Sequence, residues 1–214
     1  MTTTFATVAD LQERLGGIPT SRILLNPPPG AATVDDVIAA EREDRICELI
    51  DGVLVEKTMG WFESRIAVAL ITILEEFLDE HDLGLVLGAD GTLRILPKQV
   101  RVPDVCFISW ERFPNRRLPK QTPIPNLVPD LAVEVLSDGN TPKEMDRKLR
   151  DYFKAGVRLV WYIDPPTRTA EAYTSLDDVK RISARGTLDG GDVLPGFRLS
   201  LKKLFSRAER SRRR

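Results

Sequence analysis

Three short segments hold residue types suited to hydrolysing an anionic ester. Asp104 follows Pro103 in Arg101-Val102-Pro103-Asp104-Val105. Glu134 lies inside Val133-Glu134-Val135-Leu136-Ser137, and Lys148 sits in a basic stretch further on. Patterning places Asp104 at the head of one strand, Glu134 on the next and Lys148 on the helix that follows. Two carboxylates supply the oxygen ligands that Mg²⁺ takes alongside water and phosphate oxygens. A lysine beside them can orient or help deprotonate a water and offset charge developing at phosphorus.

The strand around Glu134 is otherwise apolar. Side chains alternate, so Leu131, Val133 and Val135 take one face while Ala132 and Glu134 take the other. A carboxylate there is costly to bury unless it is paired or binds a metal. A second Pro-Asp, Pro129-Asp130, competes with Asp104. Asp130 and Glu134 lie four residues apart on one strand, roughly 13 Å, too far for one ion to bridge. Asp104 can come from a neighbouring strand and is preferred. On the helix, Lys148 falls at the edge of the inward face and Arg147 is its nearest rival. Glu134 and Lys148 also have a purely structural reading, as a buried ion pair.

The elements that must position these groups are legible. Cys47–Ile50, Asp51-Gly52 and Val53–Glu56 read as a hairpin, since Asp-Gly suits a type I′ turn. A long helix follows over 61–79, with Phe62, Ile66, Ala69, Ile73 and Phe77 at helical spacing. Strands are expected at 85–87, 92–96, 101–109 and 131–136. The helix over 142–155 carries Thr141 as cap, Pro142 at its first position, Glu144 completing a capping box and Gly156 as terminator. A strand over 157–163, two or three short strands and a helical turn at 201–206 close the chain. The order helix, three strands, helix, strand implies a mixed α/β sheet. The expected organisation is an N-terminal arm over 1–32, a core domain over 33–206 and a basic tail over 207–214. The proline-rich stretch 110–129 reads as a loop whose Arg112, Arg116, Arg117 and Lys120 are solvated.

Composition narrows the function. The chain has 214 residues and a net charge of −1, which argues against a purely electrostatic nucleic-acid coat but leaves room for a local basic cleft. Cys47 and Cys106 are the only cysteines and form no CxxC, so a zinc ribbon is excluded and two buried free thiols are expected. His81 is the only histidine, which leaves a histidine triad almost no raw material. Ser137 lacks a histidine partner and reads as a turn residue. Trp161 and Tyr162 read as core. No basic leader or membrane-length apolar run is present, so a cytoplasmic protein is expected.

Taken together, several motifs resemble the PD-(D/E)XK nuclease superfamily, and within it the Uma-type, restriction-endonuclease-like family. They are Glu48-Leu49-Ile50-Asp51-Gly52, Pro103-Asp104-Val105, Pro129 through Ser137, Lys148 to Tyr152, Ala155-Gly156-Val157, Trp161 through Pro165, and Leu194-Pro195-Gly196-Phe197. The resemblance covers about residues 33–206. It implies a restriction-endonuclease-like core and a Mg²⁺-dependent endonuclease acting on DNA, with Mn²⁺ as a substitute. It makes Asp104 and Glu134 metal ligands, and Lys148 a lysine moved from its commoner place two residues after the acid, where Leu136 stands. Glu63, at the start of the first core helix, is implied as an accessory ligand or base. Glu48 matches a family position of less defined role. A homodimer is expected if both strands are cut. The alternative is a non-catalytic nucleic-acid-binding or interaction module that keeps the fold.

Overall fold

A computed structural model describes residues 5–119 and 122–210; Lys120 of the loop and the last four arginine-rich positions lie outside them. The chain runs α1 (Val8–Arg14), α2 (Val34–Glu41), β1 (Cys47–Ile50), β2 (Val53–Glu56) and α3 (Trp61–Leu78). It continues with β3 (Gly84–Leu87), β4 (Leu93–Leu96), β5 (Gln99–Arg101), β6 (Val105–Ser109), β7 (Leu131–Val135) and α4 (Pro142–Ala155). It ends with β8 (Leu159–Asp164), β9 (Thr169–Tyr173), β10 (Val179–Ile182), β11 (Thr187–Asp189), β12 (Arg198–Ser200) and α5 (Leu201–Ala208).

The expected mixed α/β architecture is present. A six-stranded sheet has the order β10-β9-β8-β7-β6-β3, with only β7 and β8 parallel. The crossover between those two is α4, as a parallel connection requires. Strands β6, β7 and β8 are apolar on both faces because both faces are covered. Val105, Phe107, Leu131, Val133 and Trp161 pack with α3 and α5. Cys106, Ile108, Ala132 and Tyr162 pack with Met145, Leu149 and Tyr152 of α4 and with Leu93 and Ile95 of β4.

A second, four-stranded sheet, β2-β1-β5-β4, was not foreseen. The expected single strand over 101–109 divides at Val102-Pro103. Proline has no N–H for the ladder, and the chain there leaves the small sheet, where β5 pairs β1 and β4, for the large one, where β6 pairs β7. Cys47, Leu49 and Val100 carry α2 on one face of the small sheet. The opposite face bears Ile50, Val53 and Val55, covered by Leu11, Leu15 and Ile18 of the arm. The final helix runs two residues past the expected turn, and Arg207 pairs with Glu76. The loop arginines are not simply solvated: Arg112 holds Asp130, and Arg116 holds Asp82 and covers the Trp110 ring.

The local signals act as expected. Asp51 and Gly52 both take positive φ, 52° and 82°, as a type I′ hairpin needs. The Thr141–Glu144 capping box forms, and Gly156 ends α4 at φ 97°. Arm and helix are joined there: Arg22 pairs with Glu144 at 2.9 Å, and the Thr141 hydroxyl donates to the Gly16 carbonyl. Both thiols are buried, and burial pushes Cys47 up to about 11 and Cys106 up to about 12. Gly52 also accepts from the Gly30 and Ala32 amides, and a Cβ there would lie 2.5 Å from the Gly30 oxygen. Gly52→Ala is therefore expected to lower the unfolding free energy by about 1–3 kcal/mol, read from urea denaturation.

Candidate active site

The site lies between the two sheets, against the inward face of α4. The antiparallel register pairs Val105 with Val133, which sets Asp104 opposite Glu134 at the end of the ladder. Both side chains point to the α4 side, the face shared by Cys106 and Ala132. Like charges directly opposite on antiparallel strands repel, and here both are about 95% buried, so the surroundings must supply cations and donors.

Asp104 Oδ2 accepts the Val135 amide at 2.7 Å, and Oδ1 takes the Lys57 ammonium at 2.8 Å. Glu134 Oε2 takes Lys148 Nζ at 3.1 Å, and Oε1 accepts the Tyr152 hydroxyl. Lys148 also reaches Glu48 Oε1 at 3.2 Å. Glu48 in turn accepts from Arg101 Nη1 at 2.7 Å and the Val102 amide at 3.2 Å, and Arg101 joins Asp151 through Nη2. Lys148, Asp151 and Tyr152 stand at i, i+3 and i+4 on α4, so one helix face serves the whole network. Lys57, Lys148 and Arg101 face Asp104, Glu134 and Glu48, and Asp151 has Arg147 Nε at 3.9 Å besides Arg101.

Burial comes first in the electrostatics of each of these groups, and their charged neighbours work with or against it. Burial raises the Glu134 carboxyl above its ordinary value; Asp104 and Glu48 add to this, and Lys148 and Lys57 offset only part of it. Burial alone would also raise Glu48, but Lys148, Arg101 and Lys57 outweigh it and hold that carboxyl at about 2. Burial works against the Lys148 charge, yet Glu134 and Glu48 raise its pKa, so it keeps its proton.

Among the expected site residues, the fold brings Asp104, Glu134, Lys148 and Glu48 together. Glu63 does not join them. It lies in the first turn of α3, its carboxylate folds back on Gly60, and it makes no hydrogen bond or ion pair. Arg147 pairs with Asp51 at 2.8 Å, donates to the Arg14 carbonyl, and reaches the network only through Asp151, at 3.9 Å. Asp130, at the far end of β7, is held by Arg112, Arg158 and the Ser109 amide. Ser137 closes a turn with Asn140. Lys57, Arg101, Asp151 and Tyr152 were missed. The spacing from Lys148 to Tyr152 carried a signal for the helix pair, whereas Lys57 and Arg101 come from the unforeseen sheet.

The donor set suits a small divalent cation. Each carboxylate oxygen of Asp104 and Glu134 has a second lone pair beyond its present partner. Among the described residues no group of three or more His, Cys, Asp or Glu side chains is placed to hold a metal ion, so a cation here would have two carboxylates and take its other ligands from water and phosphate, as Mg²⁺ does. A cavity of about 500 Å³ opens on another flank of α4, beside Ser137, Asp146 and Tyr173, but none of the network's residues lines it.

The family model described as Uma2, "putative restriction endonuclease", matches residues 34–202. The chain belongs to this family. A crystal structure described as "a putative nuclease belonging to DUF820" from Anabaena variabilis is similar in fold. Its TM-score is 0.66 at 20% identity, covering 77% of this chain and 92% of that one. No curated protein matches the chain. Membership in Uma2 and the shared fold support a nuclease function. Among the described residues no helix is long and apolar enough to cross a membrane.

The network makes a stability prediction. Glu48 has an ordinary value of 4.5 and a folded value of about 2, so its stabilising contribution is present above pH 4.5 and is lost as pH falls through about 2. Glu48→Gln removes the charge that Arg101 and Lys148 share and is expected to destabilise the protein by about 3–5 kcal/mol at neutral pH, the cost of breaking a buried ion pair from one side. The gap to wild type should shrink between pH 4.5 and 2 in pH-dependent denaturation.

Proposed function

We propose that this Uma2 protein is a metal-dependent endonuclease of the PD-(D/E)XK type that hydrolyses DNA phosphodiester bonds. The observation that carries the reading is the placement of Asp104 and Glu134 opposite each other at a ladder end, with Lys148 on Glu134. Asp104 and Glu134 would hold the cation, Mg²⁺ or Mn²⁺. When bound, it would acidify a water and stabilise charge on the phosphate oxygens.

The chain's own groups do the rest. The Val135 amide fixes Asp104, and the Tyr152 hydroxyl fixes Glu134, so both carboxylates are aimed before substrate arrives. Lys148, held on Glu134, would offset charge that develops on the phosphate. Glu48 and Arg101 keep Lys148 and the start of β6 in place. A second copy of the chain would supply the site for the opposite strand of a duplex.

The second reading, a nucleic-acid-binding or interaction module without turnover, is favoured by one observation. Every carboxylate oxygen of the pair already has a partner within the protein.

Cleavage of supercoiled plasmid separates the two. Wild type is expected to nick it with Mg²⁺ or Mn²⁺ and not with EDTA. Asp104→Asn should lose about a hundredfold or more in rate, while Asp130→Asn, at the other end of β7, keeps it. Equal cleavage by folded Asp104→Asn would overturn the nuclease assignment of this pair. Metal-indifferent, salt-dependent DNA binding without cleavage would establish the module.

A further inference from the structure

Lys57 is the one charged group of the network that the preceding account leaves without a function. Its ammonium rests on Asp104 Oδ1 at 2.8 Å and also donates to the Val102 carbonyl. The other Asp104 oxygen accepts the Val135 amide at 2.7 Å, a backbone group that cannot move aside as a side chain can. Oδ1 is therefore the oxygen through which Asp104 would meet a cation, and an ammonium already occupies that side of it. Lys57 differs from Lys148 in how it is held. Lys148 is clamped between two glutamates on a helix packed into the core. Lys57 stands just past the end of β2, at the start of the irregular segment 57–60. Its backbone amide is fixed to the Ile46 carbonyl at 2.8 Å, so its Cα stays put, while its side chain is held by Asp104 and the Val102 carbonyl alone, on a stem with four rotatable bonds.

We infer that Lys57 is an exchangeable counter-ion: it neutralises Asp104 in the metal-free protein and leaves Oδ1 when a divalent cation binds there. Two positive groups on one carboxylate oxygen repel at contact distance in a buried site, so the two occupancies exclude each other. Without the cation, Lys57 prevents two opposed carboxylates from facing each other uncompensated. With it, the tethered ammonium is released within a side chain's length of the site, where an anionic substrate can meet it. Lys57 is thus a positioning residue for Asp104. The inference rests on the metal-dependent reading above.

The test reads the Lys57 amine directly. Wild-type protein is treated with an N-hydroxysuccinimide acetate ester, without cation and with saturating Mg²⁺ or Ca²⁺, saturation being set by titration calorimetry. Acetylation at each lysine is then measured by mass spectrometry. Lys57 labelling is expected to rise by roughly tenfold when the cation binds, the factor that release of one charge-assisted hydrogen bond corresponds to. Exposed Lys143 should stay constant and buried Lys148 unreactive. Asp104→Asn should label at Lys57 without cation and ignore it. Lys57→Met should bind the cation more tightly than wild type. Unchanged or reduced Lys57 labelling in protein shown to bind the cation overturns the exchange and leaves the metal-dependent reading standing. Absence of cation binding in both wild type and Lys57→Met overturns both.

Discussion

Two carboxylates facing each other across the end of a buried antiparallel ladder set the terms for the rest of this molecule. Asp104 and Glu134 repel, and neither is free to turn into bulk water. Each cation and donor around them answers that repulsion: Lys57 on Asp104, Lys148 on Glu134, and the Tyr152 hydroxyl and Val135 amide on the remaining oxygens. Burial holds Glu134 above its ordinary pKa, and the nearby cations offset only part of that. A network of this kind does not add much net stability, because desolvation offsets most of the attraction. Removing any one partner would strand its opposite charge in the core.

The two-sheet architecture follows from the same requirement. One sheet alone would give Asp104 and Glu134 a helix face to meet. The second sheet brings Glu48, Arg101 and Lys57, and the Val102-Pro103 break carries the chain from one sheet to the other directly before Asp104. The arm then covers the small sheet and ties to the start of α4 through Arg22 and Gly16. Helix α4 is thereby held at both ends, by a capping box joined to the arm and by a left-handed glycine. That is the rigidity Lys148 needs in order to stay on Glu134.

Much of this was legible in the sequence, for local reasons. Asp51-Gly52, the Thr141–Glu144 box and Gly156 announce their turns because backbone conformation is set within a few residues. Glu134 stood out because an acid in an apolar strand needs a reason to be there. What could not be read was nonlocal. Whether β5 continues into β6 or crosses to another sheet depends on partners dozens of residues away, so Arg101 and Lys57 were not seen as site residues. Glu63 was placed by its position at a helix start, and in the structure its carboxylate lies close to Gly60. Arg147 and Lys148 are adjacent in sequence, and only the packed helix shows which one reaches Glu134.

The central claim is that the Asp104–Glu134 pair is a cation site, and calorimetric titration of Mn²⁺ into the metal-free protein tests it most directly. The account predicts one cation per chain in wild type and its loss in folded Glu134→Gln, which keeps the shape of the side chain but removes its charge. Equal Mn²⁺ binding by wild type and Glu134→Gln would contradict it.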